Sequence, residues 1–141
     1  MKNIFLILII SVLLTACSNV KYTQEEVKYL ETMVASMDSI QEYLGVLYDG
    51  LSSEDSEATF KGMIAIATIA GVVQDQTPPE KFKEIHDDYL NSVLALNKVC
   101  AQLGTGDYSA VTQKKFELAG ESFQKSMVAI LKENKKAQDI N

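Results

Sequence analysis

Thr23-Gln24-Glu25-Glu26-Val27-Lys28-Tyr29-Leu30 opens a stretch in which Val27, Leu30, Val34, Met37, Leu44, Leu47 and Leu51 recur at mostly three- and four-residue steps. That spacing collects apolar side chains on one face of a helix and leaves the remaining faces to polar ones. Thr23 and Glu26 stand three residues apart, as in a capping box: the threonine oxygen accepts an amide hydrogen bond and the glutamate reaches back. Gly50, which can take positive φ, is the expected stop. At about 1.5 Å per residue the helix is roughly 40 Å long. Its apolar face needs partners of similar length.

The rest of the chain supplies them. Ser52-Ser53-Glu54-Asp55 offers a new N-cap and puts acids at the start of a second helix, from about 54 to 73. Within it, residues 63–73 have no polar side chain except Thr68. A helix apolar all round is expected to be buried all round, as the central helix of the domain. A membrane-inserting hairpin is the alternative, while a strand is disfavoured by the alanine and glycine content. Thr77-Pro78-Pro79-Glu80 restarts a helix after a polar turn, proline being tolerated where no amide partner exists. Phe82, Ile85, Tyr89, Val93, Leu96, Cys100 and Leu103 carry that helix to Gly104. After the turn Gly104-Thr105-Gly106-Asp107, a last helix runs from about 108 to 137, with Val111, Leu118, Ala119, Phe123, Met127, Ile130 and Leu131 inward. Gly45, Gly62, Gly71 and Gly120 fall inside helices, where each costs about 1 kcal/mol relative to alanine and points to close helix crossings. Long helices joined by short turns pack antiparallel. The pattern predicts an all-α fold, an up-down-up-down four-helix bundle over 23–141, behind an N-terminal signal peptide.

The signal begins with Lys2 and continues as the apolar run 4–14. A charged start, an apolar core of about 7–15 residues and small residues before a cut site define a secretory leader, and the run is too short to span a bilayer. Its last residues, Leu14-Thr15-Ala16-Cys17, resemble the lipobox of bacterial lipoproteins. The resemblance implies cleavage between Ala16 and Cys17, a diacylglyceryl group on the Cys17 sulfur and an acylated new N-terminus. The implied domains are a lipoprotein signal peptide over 1–16, a lipidated tether over 17–22 and the helical domain after it. Thr77-Pro78-Pro79, with His86 and Tyr89 in the helix that follows, is similar to uncharacterised small helical lipoproteins of bacteria; this likeness covers mainly the third helix and assigns no active residue.

Composition narrows the function. The 141 residues carry a net charge of −6, all thirteen basic residues are lysines, and losing Lys2 with the leader makes the balance −7. An acidic domain without arginine is a poor match for nucleic acid, whose phosphates are bound by clustered Lys and Arg. There are two cysteines, and lipidation consumes Cys17, so Cys100 has no partner for an intrachain disulfide. It is expected to be a small buried apolar residue.

No pattern marks a catalytic centre. His86 is the single histidine, which rules out the usual zinc sets and the Glu-x-x-His pairs of di-iron bundles; a ring half-buried and hydrogen-bonded to a tyrosine or carboxylate is expected. The glycines around Thr105 lack the Lys-Ser/Thr of a phosphate loop. Tyr29, Tyr43, Tyr48, Tyr89 and Tyr108 are expected to edge the core with hydroxyls in water, a ligand groove lined by them being the alternative. No catalytic residue, metal or cofactor is expected beyond the diacylglycerol and N-acyl chain of Cys17. In the expected topology Lys132, Lys135 and Lys136 return to the membrane-facing end, while Asp49, Glu54, Asp55, Glu57 and Asp107 make the distal end acidic. The sequence thus points to an extracytoplasmic lipoprotein, anchored to a bacterial membrane through Cys17, that binds an envelope protein partner without catalysis. A protective lipoprotein blocking a phage, toxin or conjugation apparatus and a membrane-active protein using residues 63–73 are the alternatives.

Overall fold

A computed structural model describes residues 21–140. Leu14, Thr15, Ala16 and Cys17, with the rest of the expected signal peptide, lie outside the described residues. Those described form α1 (Gln24–Ser53), α2 (Ser56–Gln74), a 3-10 turn (Glu80–Phe82), α3 (Lys83–Gly104) and α4 (Ala110–Ile140), with no strand among them. The fold is all-α. α1 packs along α2 and α4, and α3 packs along the same two helices.

Local chemistry explains most of the boundaries. At the start of α1 the Thr23 hydroxyl accepts from the Glu26 amide at 3.1 Å and the Glu26 carboxylate accepts from the Thr23 amide at 2.8 Å. The Asp55 carboxylate caps α2, accepting from the amides of Glu57 and Ala58. The end of α1 differs from expectation: Gly50 does not stop it. The helix runs on to Ser53 and closes at Glu54, whose φ of 57° is left-handed. Gly50 serves another purpose, since a Cβ there would lie 2.5 Å from the Thr59 amide nitrogen. It lets α2 turn back against α1.

The core is a seam with alternating three- and four-residue steps. In α1 it follows Leu30, Met33, Met37, Ile40 and Leu47; through the 3-10 turn and α3 it follows Phe82, His86, Tyr89, Val93, Leu96, Cys100 and Leu103. In α4 it follows Thr112, Ala119, Phe123, Ser126, Ile130 and Ala137, with Phe116 half-buried between the first two. A mean step of about 3.5 residues keeps one stripe facing neighbouring helices along the whole bundle. Reading apolar residues alone misplaces α4: Val111, Leu118 and Leu131 were expected inward and are exposed. The inward positions belong partly to Thr112 and Ser126, whose hydroxyls are bonded to Asp107 and to Ser92.

α2 departs furthest from its expected environment. It buries Thr59, Gly62, Ile66, Ala70 and Val73, but Phe60 is 61% exposed, Ile64 50% and Val72 53%. α2 is therefore an outer helix like the others, not a central one. It touches α1 and α3 on one side, and no described element covers the opposite face. An apolar residue pattern reports composition and cannot report how many neighbours a helix has.

The glycines divide in the same way. A Cβ on Gly62 would stand 2.9 Å from both the nitrogen and the Cα of Leu47, atoms that cannot yield, whereas Gly45, Gly71 and Gly120 have nothing within 4 Å. Gly62 alone of these four marks a close crossing. Gly62→Ala is expected to destabilise the fold by about 1–3 kcal/mol through overpacking. Gly71→Ala, in an open helix interior, is expected to stabilise it by up to about 1 kcal/mol. Urea unfolding of both variants checks this, and a shift of the same sign in both would contradict it.

Candidate functional site

Three segments distant in sequence meet at one end of the bundle: the residues before α1, the 3-10 turn and the C-terminal part of α4. The Tyr22 hydroxyl donates to a Glu133 carboxylate oxygen at 2.9 Å. Its ring stacks on Phe82 at 6.3 Å, and Phe82 stacks on Tyr29 at 5.7 Å. Lys81 places its ammonium 3.6 Å from the centre of the Tyr22 ring and 3.8 Å from Glu26. Lys136 pairs with Glu133. Burial pushes the Tyr22 phenol up to about 12, and the nearby Glu133 adds to the shift, so the hydroxyl remains a donor. Burial also pushes the Glu133 carboxyl upward, but hydrogen bonds from Lys136 and Tyr22 outweigh it and hold the group below its ordinary range. Each stacked pair contributes roughly 0.5–1.5 kcal/mol beyond area burial, and a cation over a ring about 0.5–2 kcal/mol. Tyr22, read from sequence as the end of a tether, is thus packed into the body.

Inward from this clamp, polar side chains cross the core as rungs. Tyr29 bonds His86 Nδ1 at 2.8 Å, Tyr89 bonds Ser36 at 3.0 Å and Ser92 bonds Ser126 at 3.0 Å. His86 is buried rather than half-buried, and its partner is a tyrosine from α1, 57 residues away. The hydroxyls of Tyr29 and Tyr89 are tied up in these rungs and do not reach out to water as expected. Burial lowers the His86 pKa from its ordinary 6.5, opposed in part by Asp87, so a neutral ring is favoured. Cys100 is fully buried in the seam, and burial pushes its thiol up to about 12. Neither group is exposed to act on a substrate.

The opposite end has an open surface. The end of α1, the start of α2, the end of α3 and the start of α4 converge there on a trough in two chambers. One, of about 330 Å³, is lined by Leu44, Leu47, Tyr48, Leu51, Tyr108 and Phe116 among others. The other, of about 620 Å³, shares Leu51 and Tyr108 and continues to Thr59, Phe60, Met63 and Gly104. Tyr48 is 70% exposed and Tyr108 55% exposed at its lips. Glu117 borders the first chamber and Glu54 the second. These volumes fall in the range of small binding pockets, about 300–1,000 Å³.

Of the residues singled out from sequence, Cys17 and its lipobox lie outside the described residues. Lys132, Lys135 and Lys136 are all exposed on the last turns of α4, at the end that holds Tyr22. Lys136 is engaged by Glu133; Lys132 and Lys135 have no ion-pair partner among the described residues. The clamp residues Tyr22, Lys81 and Glu133 escaped sequence reasoning, as did Phe116 in the trough, whereas Tyr48 and Tyr108 belong to the tyrosines singled out there as core edges or groove lining. A cluster of aromatics beside the expected turns was the available signal. Among the described residues no group of three or more His, Cys, Asp or Glu side chains is placed to hold a metal ion.

The buried His86 has a consequence for pH. Its folded pKa lies below 6.5, so between those two values the unfolded chain takes up a proton that the folded chain refuses. The native state is then expected to lose stability as pH falls from about 6.5 toward the folded pKa, with a slope of up to about 1.4 kcal/mol per pH unit. Glu133 adds a separate loss, at pH below the ordinary carboxylate value of 4.5. Urea unfolding between about pH 7.5 and 5 should show the first loss in the natural chain and a flatter profile in His86→Gln; parallel profiles would contradict the assignment. The chain matches no protein-family model, and no curated protein or solved structure is significantly similar to it.

Proposed function

We propose that the chain is an extracytoplasmic lipoprotein, lipid-anchored to a bacterial membrane through Cys17, whose up-down-up-down four-helix bundle is a non-enzymatic binding module of the cell envelope. The observation that carries this reading is the clamp on Tyr22. Cys17 precedes Tyr22 by five residues, a span of less than about 20 Å even when extended. A diacylglyceryl thioether and an N-acyl chain on Cys17 therefore hold the Tyr22 end against the bilayer. Lys132, Lys135 and Lys136 lie at that end, where each lysine near anionic lipid contributes about 1 kcal/mol. The trough lies at the other end of α1, about 40 Å away. It is presented outward, free to meet a protein partner.

The acidic distal end favours the protective form of this reading, in which the module blocks an incoming phage, toxin or conjugation apparatus. A second reading is favoured by the outer face of α2. It is apolar and exposed, and α2 is the one helix among the described residues long and apolar enough to cross a membrane. In that reading α2 acts on the bilayer itself, and purified protein would release dye from vesicles.

The anchor is tested directly. One acyl chain binds a bilayer at only about 10⁴ M⁻¹ and two or more hold stably, so the natural protein is expected to incorporate labelled palmitate and stay with membranes through a carbonate wash. Cys17→Ala is expected to lose the label and appear in the soluble fraction. Retention of Cys17→Ala on washed membranes would sink the proposal.

A further inference from the structure

The trough combines apolar walls with a negative field. α1 and α3 both end there, and neither has a basic residue in its last turn to offset the negative end of the helix dipole. α2 and α4 both begin there, but carboxylates occupy their positive ends: Asp55 accepts from two amides of α2, and Asp107 accepts from Ser109 and Thr112 at the start of α4. Asp49, Glu54 and Glu57 are exposed at the same end without an ion-pair partner among the described residues. Lys61, Lys98, Lys114 and Lys115 are cations of the same helices; Lys114 is held by Glu117 at 2.9 Å, and Lys115 acts on Asp107. Negative charge prevails around a surface of leucine, tyrosine and phenylalanine.

We propose that this trough docks a basic amphipathic segment of another protein, its apolar side chains seated between Tyr48, Tyr108 and Phe116 and its lysines or arginines facing the carboxylates. The choice of occupant follows from charge. A second copy of this chain would bring the same acidic end against itself, on a molecule whose net charge is −6 over the full sequence and −7 without Lys2. A bilayer with anionic headgroups would be repelled in the same way. A segment with one apolar and one basic face satisfies both features, in the manner of helices bound in grooves. The carboxylates steer its approach, and the apolar anchors govern how long it stays. The proposal deepens the binding-module reading: anchoring decides which partners can reach the trough, while docking itself needs only the folded bundle.

The test uses the full lipidated chain in neutral phosphatidylcholine nanodiscs, with empty nanodiscs as the blank. The probe is a fluorescent helical peptide of about 18 residues with leucine on one face and lysine on the other, beside a twin with every lysine replaced by glutamate. The basic peptide is expected to bind in the micromolar range and to weaken as salt rises; the acidic twin is expected not to bind. Tyr48→Ser combined with Tyr108→Ser should weaken binding at least about tenfold, and Glu54→Gln with Glu57→Gln should slow association. Ile64→Ser, on the outer face of α2, should change nothing. Three results would each overturn the proposal: no binding of the basic peptide at about 1 mM, equal binding of the two peptides, or sensitivity to Ile64→Ser without sensitivity to the tyrosine pair. Sedimentation showing two copies joined through the trough, and parted by Tyr108→Ser, would also overturn it. Membrane retention of the same preparations is read separately. Retained protein that ignores the peptide defeats docking alone, and protein that binds the peptide yet washes off membranes defeats the anchor alone.

Discussion

The hydrogen bond from Tyr22 to Glu133 joins side chains 111 residues apart in sequence. It fixes where the body begins. Phe82 and Tyr29 stack behind it, Lys81 covers the ring, and Lys136 balances the carboxylate that receives the bond. The residues before α1, the 3-10 turn and α4 all contribute, so Tyr22 is fixed to the body at one end of the bundle. The proposed function depends on that polarity: lipid on Cys17 would hold this end, and the trough lies at the other.

Most of the fold was legible from the sequence because helix starts are written in local chemistry. The capping box at Thr23 and Glu26, the acid at Asp55 and the proline pair before Glu80 each act within a few residues. The interior was less legible for a physical reason. Stripe positions in this bundle accept a polar side chain when a facing helix offers it a hydrogen bond, as His86, Ser92, Thr112 and Ser126 do. A count of apolar spacing skips those positions and slides to the next apolar neighbour, so it selects Ile85 over His86 and Val111 over Thr112. Met33 and Ile40 were passed over although both are fully buried. The same blindness to facing partners placed α2 at the centre, when two helices flank it and its outer face is bare.

The candidate site was legible in part. The lipobox-like motif at residues 14–17, on which the proposed localisation rests, lies outside the described residues. The C-terminal lysines were traced to the end where Tyr22 sits. A tyrosine-lined groove was an alternative in the sequence, but its place was not legible, because the walls come from the ends of four helices and no single stretch contains them. What the sequence did contain was its charge, in Asp49, Glu54, Asp55, Glu57 and Asp107. Acidic residues beside turns are ordinary in themselves. They acquire meaning when the fold gathers them around exposed tyrosines and two helix C-termini without basic residues.

The polarity of the anchored molecule can be measured by electron paramagnetic resonance on the lipidated protein in vesicles. Cys100 is fully buried with a thiol of raised pKa and Cys17 is to be blocked by lipid, so nitroxides introduced through Lys135→Cys or Ser52→Cys would report single sites. With the proposed anchor, the label at 135 is expected to lie at the headgroups and the label at 52 about 40 Å farther into the water, the length of α1. Equal depths for the two labels, as in a molecule lying along α2 on the bilayer, would contradict it.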